Sequence, residues 1–165
     1  MDLKPVILQG QSVRLEPLEL TRHWPGLLAI GLDPDLWRWT SSKIGSEADL
    51  RRYLERAVAE QVGGVSLPFV TVLAESGEVV GCTRFGNIVR EHKRAEIGWT
   101  WVARTHQRTI VNTEAKYLML RHAFEVWGLM RVELKTSATN LRSQNAMRRL
   151  GLTAEGTFRK WMFNE

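Results

Sequence analysis

The part of the sequence best suited to chemistry is a basic, hydroxyl-bearing turn between a strand and a helix. Residues 103–109 form this turn, which follows a predicted strand over residues 95–102 and precedes an apolar helix predicted from about Asn112 to Trp127. The first amides of a helix have no internal partner, and the helix dipole favours negative charge there. The sequence therefore indicates an anion site at this helix start, although an ordinary β-turn-α connection would give the same pattern.

Several other chemistries have no motif in this sequence. There is no G-x-S-x-G nucleophile elbow and no Walker G-x-x-x-x-G-K loop. The four histidines do not have the spacing of metal ligands, and Cys82 is the only cysteine, so an internal disulfide is impossible. What remains points to group transfer from an anionic cofactor.

The composition predicts one globular domain over residues 1–165. The chain is 44% hydrophobic, but it contains no apolar run near 18 residues, so no membrane partner is expected. Its net charge is +5, yet acids and bases are interspersed, which favours a solvated surface over a nucleic-acid partner. The N-terminus lacks the features of a signal peptide, and with one cysteine the expected location is cytoplasmic.

The hydrophobic periodicity predicts a single mixed α/β structure. Strands alternate apolar and polar residues at 13–16 and 131–136, and a hairpin is expected from residues 69–73 and 79–85. Apolar residues at helical spacing predict helices near residues 21–31, 46–62, 112–127 and 140–150. The predicted order is β-α-α-β-β-β-α-β-α-β, in which the central helix starting near Asn112 packs against the sheet.

A resemblance to a known family indicates which ligand this turn binds. Residues 96–98 and 107–115, read as Glu-Ile-Gly and Gln-Arg-Thr-Ile-Val-Asn-Thr-Glu-Ala, resemble the acetyl-CoA motif of the GNAT superfamily of N-acetyltransferases. The chain is most similar to the branch that contains the ribosomal-protein alanine and serine N-terminal acetyltransferases, and residues 131–133 and 140–143 also fit that branch. The resemblance implies the GNAT fold, a mostly antiparallel central sheet with flanking helices. It also implies acetyl-CoA as cofactor and direct acetyl transfer to a primary amine.

The same resemblance implies the residues that hold the pyrophosphate. The GNAT pattern Gln/Arg-x-x-Gly-x-Gly/Ala is matched by Gln107, Arg108, Thr109, Ile110, Val111 and Asn112, and Thr113 follows them. Ile110 stands where the central glycine is expected, and Asn112 where the last small residue is expected. The amides of residues 108–113 are present whatever the side chains, and Arg108 and Thr109 can add side-chain bonds to phosphate.

The resemblance also implies how the thioester end is held. The pantetheine arm is expected beside the end of the strand, bonded to backbone near Trp101, Val102 and Ala103. A strand bulge there would direct an N–H at the thioester carbonyl. Asn140 is expected to hydrogen-bond the same arm, although a role in the turn would also explain it.

Acetyl transfer requires a base for the ammonium and an acid for the departing thiolate. Glu96 is the candidate base, expected on the strand face opposite Ile97, Trp99 and Trp101; a carboxylate in a salt bridge is the alternative. Ser143, at the start of a helix, is the candidate thiolate donor, and its alternative is a helix cap. The acceptor side is expected at Trp37 and Trp39, which would otherwise be core tryptophans.

The end of the chain and the acceptor leave alternatives open. Residues 155–163 are predicted to form a final strand. The resemblance implies one more strand, which the sequence does not supply, so we expect either a longer protein or a neighbouring chain in a homodimer to complete the sheet. The acceptor is a protein N-terminal amine or a small amine. The missing glycines leave a non-catalytic acyl-CoA-binding or regulatory domain as the alternative function.

Overall fold

The computed structural model describes residues 1–162, which contain six strands and four helices. In chain order these are β1 Leu8–Gln9, β2 Val13–Pro17, α1 Leu20–Gly31, α2 Glu47–Val62, β3 Leu67–Leu73, β4 Val79–Val89, β5 Arg94–Val102, α3 Ile110–Arg121, β6 Arg131–Glu133 and α4 Leu141–Arg149. The mixed α/β class is confirmed, and the predicted order is confirmed from β2 to α4, with β1 as an additional short strand. Within this part of the chain, no helix is long and apolar enough to cross a membrane.

One sheet organises the fold. The strands follow the chain order from β1 to β6, and every neighbouring pair is antiparallel except β5 and β6, which are parallel. Successive side chains of β3 point to opposite faces of the sheet. Phe69 lies in the core beneath α3, and Val70 lies in the core beneath α1 and α2. Helix α3 therefore has a buried face of its own, with Met119 fully enclosed.

The helix boundaries follow the local sequence. Ser46 caps α2, because its hydroxyl accepts from the Asp49 amide at 3.2 Å and donates to the Asp49 carboxylate at 2.7 Å. Gly151 follows α4 at a φ of +80°, a left-handed conformation that glycine adopts without strain. Helix α3 begins at Ile110, two residues before the predicted start, and continues as a π-helical turn over His122–Val126.

Glu114 fixes the start of α3 to the sheet. Its carboxylate accepts three backbone N–H groups from the turn before β2, those of Gln11 at 2.8 Å, Ser12 at 2.7 Å and Val13 at 2.8 Å. Burial raises the pKa of this carboxyl, but the three amide bonds outweigh that effect and hold the pKa below its usual value. The helix that follows the basic turn is therefore anchored within its first two turns.

The predicted final strand over residues 155–163 is wrong for residues 155–162, which contain no strand; Phe163 lies outside the described residues. A strand needs backbone partners, and in the described chain this segment contacts β6 through side chains, with Arg131 paired to Glu155. Phe158 and Trp161 pack on each other with ring centres 5.0 Å apart, and both remain exposed.

Candidate active site

The N-terminus of α3 presents free backbone amides. Thr109 is the N-cap residue; its hydroxyl accepts from the Val111 amide at 3.3 Å and donates to the His106 carbonyl at 2.7 Å. Among residues 1–162, the amides of Ile110 and Asn112 have no acceptor. These donors, together with the positive end of the helix dipole, fit a pyrophosphate.

Ile110 does not strain this helix start. It is the first helical residue, it is not among the residues with positive φ, and its side chain is 55% exposed. The left-handed residue of the turn is instead Arg108, at a φ of +64° and exposed to solvent. The departure from the glycine pattern at Ile110 therefore removes neither an amide nor a required backbone conformation, while Val111 turns inward and is buried in the core under α3.

Gln107 connects three elements of the site. Its side-chain amide donates to the Val102 carbonyl at the end of β5 at 2.9 Å, and its Oε1 accepts from Arg142 Nη1 in the first turn of α4 at 2.7 Å. The predicted cofactor loop is therefore tied on one side to the strand and on the other to the helix that carries Ser143.

Strand β5 contains a bulge and has an open edge. Cys82 of β4 pairs with Trp101 and Arg84 pairs with Gly98, so Thr83 faces two residues, Trp99 and Thr100. Trp99 adopts a φ of +50°, which is uncommon for an aromatic residue. Strand β6 pairs with β5 only over Arg94–Glu96, so from residue 97 to 102 the outer edge of β5 has no strand partner in the described structure.

The three residues predicted to line the pantetheine arm are not equivalent. The Ala103 amide donates to the Val80 carbonyl at 2.7 Å, so it is not free for a ligand. The Val102 carbonyl turns away from β4 to accept from Gln107. Because the amide and carbonyl of one residue in an antiparallel strand point to the same side, the Val102 amide faces the open edge, and the Trp101 amide faces β4.

The bulge also changes which side chains share a face with Glu96. A Cβ at Gly98 would lie 2.9 Å from Glu96 Oε1, so the Glu96 side chain lies over Gly98. The Trp99 ring covers Gly86, which pairs with Glu96, and Trp101 is buried in the core under α1 and α2, opposite Ile97. The prediction that Trp99 and Trp101 lie on the face opposite Glu96 is therefore wrong, because the extra residue at the bulge inverts the alternation.

Glu96 is nearly buried, at 5% exposure, and has two polar partners. Its Oε2 accepts from Asn87 Nδ2 at 2.6 Å and from Lys135 Nζ at 2.9 Å. In the described chain, Oε1 has no hydrogen-bond partner. One carboxylate oxygen is thus held in a salt bridge, as the alternative interpretation anticipated, while the other is available to take up a proton.

Ser143 and Asn140 lie together at the start of α4. Asn140 is the N-cap residue, and its Oδ1 accepts from the Ser143 amide at 3.1 Å. The cap is therefore Asn140, not Ser143, and the half-buried Ser143 hydroxyl has no partner among residues 1–162. A free hydroxyl beside the loop tied down by Gln107 can donate a proton.

Of the two predicted acceptor-side tryptophans, Trp37 is a core residue and Trp39 is at the surface. The Trp37 ring is 4% exposed, donates to the Gly31 carbonyl at 2.8 Å, and lies 5.1 Å from Tyr53 and 5.5 Å from Trp101 between ring centres. Trp39 is 36% exposed, with the Arg38 guanidinium 5.2 Å above its ring.

Three polar residues near the site were missed in the sequence. Asn87 and Lys135 hold Glu96, and Lys116 of α3 is buried beneath the β5 bulge. The signal for Lys135 was the parallel pairing of β5 with β6. In that register Glu96 pairs with Glu133, and Lys135 follows two residues later. The signal for Lys116 was its position three residues before Met119, in a helix that is apolar on several sides.

Comparison with known proteins identifies the family. The sequence matches the acetyltransferase (GNAT) domain over residues 12–153. The chain therefore belongs to the GNAT acetyltransferase family, whose domains use acetyl-CoA as the acetyl donor. The predicted family and cofactor are confirmed.

Similar structures agree with this assignment. A T. thermophilus protein described as an acetyltransferase is 35% identical, with 98% of this chain and 83% of that chain covered and a TM-score of 0.86. A GCN5-related N-acetyltransferase from Brucella melitensis is 28% identical, with 95% and 72% covered and a TM-score of 0.88. A Salmonella typhimurium enzyme that modifies the N-terminal serine of ribosomal protein L7/L12 shares the fold at 19% identity, with 97% and 92% covered and a TM-score of 0.84. No curated protein matches the sequence.

Proposed function

We propose that this protein is an N-acetyltransferase that moves the acetyl group of acetyl-CoA directly to a primary amine. One observation carries the proposal: the open, bulged edge of β5 leads into a helix start where the amides of Ile110 and Asn112 are free. A thioester and a pyrophosphate need donors at two separated points, and this continuous strand and turn supply both.

The binding roles follow from the contacts. The amides at the start of α3, with Arg108 and the Thr109 N-cap, would hold the pyrophosphate. The Val102 amide would hold the pantetheine arm along the β5 edge, with Asn140 opposite it at the start of α4. When bound, acetyl-CoA supplies an activated acetyl group as a thioester.

The proton roles fall on two side chains. Glu96 Oε1 would accept the proton of the acceptor ammonium, while Asn87 and Lys135 hold Oε2 and fix the carboxylate in place. The free Ser143 hydroxyl would donate a proton to the thiolate that leaves. Neither role requires a covalent acyl-enzyme, and the buried Cys82 is no substitute nucleophile because burial raises its pKa to about 11.

The acceptor would enter near the segment that joins α1 to α2, where Trp39 and Arg38 are at the surface. Either a protein N-terminus or a small amine suits such an entrance; the Salmonella enzyme acts on a ribosomal protein N-terminus. A homodimer and a cytoplasmic location stay predictions.

The proposal is tested by following free thiol release from acetyl-CoA with a panel of small amines and N-terminal peptides. Glu96→Gln and Ser143→Ala should each reduce kcat by about 100-fold, the effect of losing a positioned acid or base. Glu16→Gln is a matched control, because it changes a buried carboxylate that pairs with Arg14 on β2, away from β5 and its bulge. Binding of acetyl-CoA by calorimetry without thiol release from any acceptor would favour the non-catalytic acyl-CoA-binding alternative.

A further inference from the structure

Lys116 is a buried lysine without an acidic partner in the described chain. It lies on the second turn of α3 with 4% exposure, and its Nζ donates to Thr83 Oγ1 at 3.0 Å and to Thr100 Oγ1 at 2.5 Å. Burial, opposed only by the Cys82 thiol, lowers its pKa to about 7. Neither the core nor the proposed proton transfers require an amine at this position.

The two hydroxyls connect Lys116 to the bulge of β5. Thr83 Oγ1 and Thr100 Oγ1 lie 2.8 Å apart, one on β4 and the other within the bulge. Both lie within hydrogen-bonding distance of the Gly98 carbonyl, at 3.4 Å from Thr83 and 3.3 Å from Thr100. The network therefore spans the bulge, from Gly98 just before it to Thr100 within it.

The hydrogen-bond count of this network balances for an uncharged amine. A neutral lysine has two N–H donors, one for each threonine oxygen. One threonine hydroxyl then donates to the other threonine oxygen, and the second hydroxyl donates to the Gly98 carbonyl. An ammonium would carry a third N–H into a buried site where residues 1–162 offer no further acceptor, which is costly.

We propose that Lys116 is a positioning residue for acetyl transfer: it fixes the β5 bulge through Thr100 and Thr83, and so holds the amides of the open edge where they meet the thioester. This inference rests on the proposed function. Lys116 itself lies on the inner side of the sheet and does not contact the open edge, so it acts only through the bulge.

The test compares Lys116→Met and Thr100→Val with Thr71→Val. Both test variants keep side-chain volume and remove the hydrogen bonds, whereas Thr71 is a buried threonine on β3 with no hydrogen bond to Lys116. We expect kcat to fall by about 10- to 100-fold in both test variants, the range expected when reacting groups are misplaced by a fraction of an ångström to 1 Å. The KM for acetyl-CoA and the melting temperature should stay at wild-type values, and the double variant should be no slower than the slower single variant.

A second measurement is independent of turnover. Amide hydrogen exchange of the ligand-free protein should be faster at residues 98–101 in Lys116→Met than in wild type, and unchanged in Thr71→Val. If wild type releases no thiol with any amine, the proposed function fails, and exchange alone then decides whether Lys116 fixes the bulge. Unchanged exchange, a wild-type kcat in Lys116→Met, or a loss of melting temperature that accompanies the loss of kcat would each overturn the proposal.

Discussion

Replacing Glu114 with glutamine should loosen the attachment of α3 to the sheet. The carboxylate accepts three backbone amides, at 2.7 to 2.8 Å. Glutamine keeps the size but turns an NH₂ group toward at least one of these amides, so at least one donor loses its partner and the others lose a charged acceptor. Bonds to a charged group are worth about 1.5–3 kcal/mol each when buried; because this site is partly exposed, we expect a loss of about 2 kcal/mol at pH 7.

The loss should depend on pH with a defined sign. The pKa of Glu114 is lowered in the folded protein, so its contribution is fully present above the ordinary glutamate pKa and disappears as pH falls through the folded pKa. Urea unfolding of wild type and Glu114→Gln at pH 7 and at pH 3 measures the difference, and comparing the two proteins cancels the other carboxylates. A stability difference that is the same at both pH values, or absent at pH 7, would refute the reasoning.

Three further predictions concern the site and its surroundings. Ile110→Gly should cost about 0.5 kcal/mol of stability and leave the calorimetric Kd for acetyl-CoA unchanged, since the amide is already free; a tenfold tighter Kd would mean that the side chain blocks the ligand. Arg84→Met should lower the free energy of unfolding in urea by about 2 kcal/mol. This is less than the loss expected for a fully buried ion pair, because Glu60 is partly exposed and still pairs with Arg56. An unchanged free energy of unfolding would show that the Arg84–Glu60 pair does not stabilise the fold. Cys82 should not react with a thiol dye in the native protein and should react once unfolded, because burial raises its pKa to about 11; fast native labelling would contradict its burial.

Much of the fold could be predicted because its signals are local. The Ser46 cap, the Asn140 helix start and the glycine that ends α4 depend on residues a few positions apart. The strand that runs into a basic turn and a helix was also readable, since it depends on one continuous stretch. These elements place the amides at the start of α3.

The parts that could not be predicted depend on pairing between distant segments. The alternation of residues 95–102 looks unbroken in the sequence, and only the register with β4 reveals that Thr83 faces two residues. That single extra residue moved Trp99 and Trp101 onto the face of Glu96. The partners of Glu96 come from β4 and from the segment after β6, and Trp37 is held by a carbonyl of α1, so none of these contacts leaves a local pattern.

Amine-dependent release of coenzyme A thiol by the wild-type protein tests the central claim most directly. Acetyl-CoA alone should give no release, and addition of an accepted amine or N-terminal peptide should give one acetylated product for each thiol, with no acetyl group on the protein in its mass spectrum. Release without an amine that leaves an acetylated protein would contradict direct transfer. Binding without release from any acceptor would contradict catalysis itself.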